Sequence, residues 1–351
     1  MNYFENLNET VKEYFNILSN NDIPNFLNEY INTKEMQRIG GISALIGADY
    51  TNLTKNEFFY SSLDHSVGVA LIIWNFTKDK KQTLAGLFHD IATPVFKHAI
   101  DFLNEDYEKQ ESTEELTYEI IQNSKEITML LKRDNIKLEE VVDYKIYPIA
   151  DNETPQLSAD RLEYTFSDLL EYTFLGSISL EEIRKTYKDI KILKNERQEI
   201  ELGFKTSEIA EEFIEKASRL WYYLQSNLDK VKTQFLADIV KKMNEINLIH
   251  KEDLYRLSEK EVIKMIEECP NKNISEAFCK FAKAEEIGES SERQEDKYCI
   301  SLKVKRRYIV PLVEKENTAV RITKLSDQAN KIVDDYLKYN SPKYGYLDFK
   351  F

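Results

Sequence analysis

The chain has 351 residues, 62 of them acidic against 48 Lys and Arg, and its formal charge of −14 repels a phosphate backbone, so a broad nucleic-acid surface is excluded. Its longest apolar run within a helical pattern, VALIIW, is far shorter than the roughly 20 residues that cross a bilayer. The acidic start MNYFENLNET lacks the apolar stretch of a signal peptide, so a soluble cytoplasmic protein is expected.

The 42% apolar content, with 21 Tyr and 18 Phe, is ample for a core in one domain or two, and only 9 Gly and 7 Pro favour long helices. Cys269, Cys279 and Cys299 have no metal-ligand spacing and are expected as reduced thiols. From the start, Tyr3, Phe4, Leu7, Val11, Tyr14, Phe15 and Leu18 recur at helical spacing, so residues 2–32 are predicted as one or two amphipathic helices. Gly40, Gly41 and Gly47 then mark a bend or a close backbone approach.

Residues 63–76 read as a helix with His65 in its first turn, followed by a polar connection at 77–80. Residues 83–91 are the next helix, closed near Pro94 because a proline disfavours helix at the residue before it. A short helix over 96–103, a polar loop over 104–115 ending in a cap at Ser112 to Glu115, a helix to about Arg133 and a short one over 136–142 follow. After a loop at 147–155, residues 158–176 form a helix with Ser158 as cap, Asp160 in the first turn and Gly176 as stop. From 180 to 268 the spacing predicts mostly long amphipathic helix, with further helices over 259–267 and 274–286. The period then changes: 297–313 alternates and is predicted as a strand pair or a strand plus turn, with TAVRIT at 318–323 as its partner, before a last helix over 326–339.

Four histidines occur in the chain, and His65, His89 and His98 lie within 34 consecutive residues. His65, the adjacent pair His89 and Asp90, and Asp160 form an imidazole and carboxylate set suited to one divalent ion with positions left open for water and substrate. Each of these residues alone is more often structural, a buried hydrogen-bonded histidine or a capping acid; their combination is the specific signal. His98 admits two readings, a group at the site or a buried histidine beneath it, and Asp101 one turn on is read equally as a carboxylate that orients it or as half of a surface salt bridge. For Arg161 the alternatives are a phosphate clamp and an ion pair with Asp64 or Asp168. Lys303, Lys305, Arg306 and Arg307 form a basic cluster, read as a solvated strand face ahead of a nucleotide or partner site.

In order, HSVGVALI, LFHDIATPVFKH and SADRLEYTFSD resemble the HD-domain phosphohydrolase superfamily, most nearly its deoxynucleoside triphosphate triphosphohydrolase branch. The motifs match at His65, His89 with Asp90, and Asp160, well over residues 35–180 and loosely over 297–325. Departures lie at Thr93, where the family has a histidine, at Ser62, where an arginine is expected, and at YEKQEST, where a His-Glu pair is expected. The resemblance implies a mainly α protein: N-terminal helices (1–34), an HD-domain helical bundle (35–200) and a C-terminal helical extension (201–351) with a small β-hairpin (297–325), packed as one unit. It implies one divalent metal ion (Mn, Fe, Mg, Ni, Co or Zn) on His65, His89, Asp90 and Asp160. It implies hydrolysis of a phosphate ester, a nucleotide or similar small molecule, by metal-activated water, with a homo-oligomer as the expected assembly. Glu111, His98 and Lys109 are then the candidate proton-transfer groups, and Arg161, Thr93 and Tyr164 the candidate substrate contacts. The alternative, raised by the departures, is an HD scaffold that binds nucleotide or metal in a regulatory role without turnover.

Overall fold

A computed structural model describes residues 2–108, 116–176, 178–316 and 318–351. Helices dominate, and seven short strands among the described residues form two sheets. No helix among these residues is long and apolar enough to cross a membrane.

The central element is the helix Ser62–Thr77, which begins in a capping box. Ser61 Oγ accepts the Asp64 amide at 3.1 Å, and Asp64 Oδ2 accepts the Ser61 amide at 2.7 Å. Residues on all sides of this helix are buried, so it runs through the core rather than over it. The helix Lys80–Phe88 packs along it; a Cβ on Gly86 would lie 2.3 Å from Ile73 Cδ1, so a larger residue there would have to displace the end of that side chain. Its start is set by Asp79, whose carboxylate accepts the Lys81 and Gln82 amides, which carries the helix back into the stretch predicted as a polar connection. The third helix at the site, Ala159–Glu171, has the predicted cap: Ser158 Oγ accepts the Arg161 amide at 3.2 Å. Gly176, with φ of 76°, closes the turn that follows.

The long helical stretch predicted after 180 is interrupted. Helix Leu180–Asp189 leads into β1 (Ile190–Lys194) and β2 (Ile200–Phe204), an antiparallel hairpin, before helices Ser207–Gln225 and Asn227–Glu245 resume the pattern. Asn195 builds the hairpin turn by accepting the amides of Arg197 and Glu199 on its side-chain oxygen.

The predicted strand pair over 297–313 does not close on itself either. β3 (Gly288–Ser290) and β4 (Tyr298–Ile300) flank β7 (Tyr344–Leu347) from the aromatic tail in a three-stranded antiparallel sheet. β5 (Leu312–Lys315) runs parallel to β2 and antiparallel to β6 (Thr318–Arg321) in a four-stranded sheet of order β1-β2-β5-β6. TAVRIT therefore does pair with the end of the alternating stretch, but residues 301–311 cross between the sheets without regular structure. The short helix predicted over 136–142 is a single 3-10 turn, Leu138–Glu140.

Two apolar clusters hold these elements together. The larger joins the first helix, Glu9–Leu18, to the three site helices and to helix Asp327–Lys338. The smaller joins Val95 to Phe102 to helices Asn227–Glu245, Glu259–Glu267 and Lys272–Lys283.

Candidate metal centre

His65 sits one turn into its helix, and Asp160 sits in the first turn of the third helix. His89 is the C-cap of Lys80–Phe88, so the pair His89 and Asp90 leaves the helix rather than lying within it. Asp90 stands in a tight turn, where its carbonyl accepts the Thr93 amide at 2.9 Å. Arg38 clasps that turn from behind, donating from Nη2 to the carbonyls of Ile91 (2.9 Å) and Thr93 (2.7 Å).

The buried Nε2 atoms of His65 and His89 face each other at 3.2 Å. Asp160 Oδ1 lies 3.2 Å from the first and 3.7 Å from the second. The ligand atoms of His65, His89 and Asp160 all fall within 4.8 Å of one another. Asp90 stands at the edge of this set: its Oδ1 is 3.7 Å from His89 Nε2, while its Oδ2 is held by Lys97 Nζ at 3.0 Å.

The donor set fits a divalent ion. His65 Nδ1 is bound to the buried carboxylate of Glu163, and His89 Nδ1 to the Gly86 carbonyl at 2.7 Å. Both partners can only accept, so each Nδ1 carries the proton and each Nε2 turns a lone pair to the same point. Two such lone pairs beside a carboxylate repel unless a positive charge lies among them. Metal–imidazole bonds of about 2.0–2.1 Å place two nitrogens roughly 3 Å apart at a right angle, close to the separation here. The side-chain electrostatics agree. Burial pulls the His65 imidazole down, but Glu163 and Asp160 outweigh it and raise the ring to about 10. Burial pushes Asp90 and Asp160 up, yet Lys97 and the two imidazoles for the former, and the imidazoles for the latter, hold both well below the usual carboxylate range. The centre therefore favours one added positive charge, which a metal ion meets on displacing a proton.

A cavity of about 190 Å³ opens onto this centre. His98 lines it, with Nδ1 2.8 Å from the fully buried Asp101, as the carboxylate-oriented reading expects. Arg161 lines it too, but its partners are not Asp64 or Asp168: Asp151 lies at 3.2 Å and Asn152 Oδ1 at 2.6 Å. Asp64 is taken up in the capping box, and the loop 151–152 lies directly over the start of the third helix. Tyr164 lines the cavity, its hydroxyl pushed up to about 12 by burial against the opposing charges of Arg307 and Arg161. Thr93 does not appear among the described residues of the lining; its turn faces Arg38. Lys109 and Glu111, with the cap expected at Ser112 to Glu115, lie outside the described residues.

Sequence reasoning missed Glu163, Tyr144, Lys97 and Lys145, and it ranked a solvated strand face ahead of a nucleotide site for two further cations of the lining, Lys305 and Arg307. For the last two a signal existed. In an extended chain alternate residues share a side. Lys305 and Arg307 line the cavity, whereas Arg306 between them donates to the carbonyls of Tyr336 (3.0 Å) and Tyr339 (2.7 Å). A larger cleft of about 1030 Å³, between Arg38, Ile120 and Tyr255, holds none of the centre's histidines or aspartates.

Residues 62–156 match the HD domain family, a segment that includes His65, His89 and Asp90 and ends just short of Asp160. Along nearly its whole length the chain is similar to the uncharacterized protein YdhJ of Bacillus subtilis, 25% identical over 323 residues that cover 90% of this chain and 92% of that one. Over 164 residues, 46% of this chain and 45% of the other, it is 24% identical to the metal-dependent phosphohydrolase cns2 of Cordyceps militaris. The fold is shared with a phosphohydrolase of Bacteroides thetaiotaomicron (TM-score 0.63, 17% identity, 94% and 97% of the two chains). It is shared also with a hypothetical protein of Aquifex aeolicus (TM-score 0.62, 17% identity, 93% of each chain).

Proposed function

We propose that this protein is a metal-dependent phosphohydrolase that cleaves a phosphate ester of a nucleotide or similar small molecule. The observation that carries the proposal is the pair of Nε2 atoms 3.2 Å apart, each with its Nδ1 tied to an acceptor, beside Asp160. The HD match and the activity in the Cordyceps relative's name support the same reading. His65, His89 and Asp160 would hold the ion, with Asp90 as the fourth group. When bound, a divalent ion polarises a phosphoryl oxygen and lowers the pKa of water toward about 7.

The chain's own groups supply the rest. Arg161, fixed by Asp151 and Asn152, presents its guanidinium at the cavity wall, and Tyr164 bounds the space beside it. His98, oriented by Asp101, is the proposed proton donor to the leaving oxygen; a positioned acid contributes about 10²–10⁴-fold. Lys109 and Glu111 stay in the proposal as proton-transfer groups.

Metal analysis of purified protein and a panel of phosphate esters with Mn²⁺, Fe²⁺, Mg²⁺, Ni²⁺ and Co²⁺ test this. The expected result is bound metal and hydrolysis in the wild type, with His89→Ala and Asp160→Ala losing the metal and at least about a hundredfold in rate, more than outer-layer residues cost. Protein that takes up no ion ends the proposal. Protein that takes up metal and nucleotide and turns over nothing replaces it with the regulatory reading.

A further inference from the structure

Among the described residues, Lys97 is the one lysine that meets a carboxylate of the metal centre. Its ammonium group meets Asp90 Oδ2 at 3.0 Å, and Asp90 is its one hydrogen-bond acceptor among the described residues. An ammonium group has three hydrogens to donate. Two remain, on a side chain that is nine-tenths buried and lines the same cavity as His65, His89 and Asp160.

The backbone is bent to bring it there. Phe96 and Lys97 have φ of 64° and 44°, two successive non-glycine residues in the left-handed region. Each such residue costs about 1–2 kcal/mol and persists only where its surroundings hold it. Those surroundings come from elsewhere in the chain. The Val95 amide donates to the Leu254 carbonyl at 2.9 Å, the Phe96 amide to Glu259 Oε1 at 3.2 Å, and the Phe96 ring is fully buried. A surface ion pair requires none of this.

We propose that Lys97 is a substrate-binding residue of this centre, holding Asp90 by one oxygen and donating its remaining hydrogens to a non-bridging oxygen of the phosphate group. The inference rests on the phosphohydrolase reading and names a residue that the motifs do not mark. It separates the two oxygens of Asp90: Oδ2 is taken by Lys97, and Oδ1 is turned toward His89.

Opposite movements of two affinities test it. In titrations of metal-free protein with Mn²⁺, Lys97→Met removes a positive charge beside the centre, and Mn²⁺ is expected to bind about tenfold more tightly. In titrations of the Mn²⁺-loaded protein with inorganic phosphate, the same variant is expected to bind roughly ten- to a hundredfold more weakly, the loss of a charged hydrogen bond. Lys97→Arg should restore most of the phosphate affinity. A misfolded variant loses both affinities, so tighter Mn²⁺ with weaker phosphate is a result that misfolding does not give. Phosphate affinity within twofold of wild type in Lys97→Met, a joint loss of both, or a wild type that loads Mn²⁺ and binds no phosphate overturns the inference alone. A wild type that takes up no Mn²⁺ removes the phosphohydrolase reading beneath it as well.

Discussion

Glu163 is fully buried, and four groups converge on its carboxylate: His65 Nδ1, the hydroxyls of Tyr60 (2.7 Å) and Tyr14 (3.2 Å), and Ser167 Oγ (3.4 Å). It fixes the tautomer of His65 and so aims Nε2 at the centre. The space it occupies exists because residue 68 is glycine; a Cβ there would lie 2.6 Å from Glu163 Oε1. Gly68→Ala sets a helix-propensity gain of at most about 1 kcal/mol against an overlap costing about 1–3 kcal/mol, so the overlap wins. Both Gly68→Ala and the volume-conserving Glu163→Gln are expected to weaken metal binding about 10–100-fold, with Gly68→Ala also unfolding at a lower temperature. Metal titration and thermal melts read this out; unchanged metal affinity in Glu163→Gln would show that the carboxylate charge is irrelevant to the centre. The sequence displayed Asp160 and Arg161 but hid Glu163, three residues further along the same helix. An acid in an amphipathic helix reads as solvent-facing until a glycine on a different helix is known to lie against it. Lys97 was hidden for the same reason, since the backbone bend that places it is held by the bonds of Val95 to Leu254 and of Phe96 to Glu259.

At the scale of elements, the legible parts were those with local causes. The cap at Ser158 and the helices carrying His65 and Asp160 follow from neighbouring residues, whereas Gly176, read as the stop of the third helix, closes a 3-10 turn after that helix has ended at Glu171. The hairpin of β1 and β2 was not read, although Ile190 and Ile192 alternate with Lys191 and Asn195 makes the turn. Five-residue strands between two amphipathic helices are too short to outweigh a helical period, and the pairing of β2 with β5 more than a hundred residues on supplies what the local pattern lacks. Helix Glu259–Glu267 is coupled to the site in a comparable way. The Glu259 amide donates to the Gly41 carbonyl at 3.0 Å, its Oε1 accepts the Phe96 amide, and its Oε2 is buried without a hydrogen-bond partner. Burial raises this carboxyl to about 8, whereas the unfolded chain releases the proton near 4.3. Between those values the folded state holds a proton that the unfolded state has lost, so rising pH favours unfolding. The contribution is full below about 4.3 and is lost as pH climbs toward 8. Urea denaturation of wild type and Glu259→Gln should therefore show wild type losing on the order of a few kcal/mol relative to the variant between pH 5 and pH 8. Parallel pH profiles for the two proteins would refute it.

For the whole molecule, the question is how an acidic chain presents a cavity to an anion. The net charge is −14, yet five cationic side chains, Lys97, Lys145, Arg161, Lys305 and Arg307, line the cavity beside four aspartates. At physiological salt the screening length is about 8 Å, so an anion in the cavity responds to these neighbours and little to the distant surface. Two of the five arrive from the C-terminal stretch 301–311, which is anchored at both ends: the Lys305 amide donates to the Tyr107 carbonyl at 3.1 Å, and the Val310 amide to that of Pro155 at 2.8 Å. The motif-bearing half alone therefore lacks a wall of its own site. The alternation of Lys305, Arg306 and Arg307 separates binding from stability within three residues. Arg307→Ala is expected to raise KM for a phosphate ester roughly ten- to a hundredfold, with metal content and thermal stability near wild type. Arg306→Ala removes two hydrogen bonds that hold the end of helix Asp327–Lys338, so it is expected to cost about 1–3 kcal/mol of stability and leave KM within about twofold. Steady-state kinetics and denaturation of the two variants decide the matter: if Arg306→Ala moves KM as far as Arg307→Ala does, the stretch acts as a general basic surface and does not form one wall of the cavity.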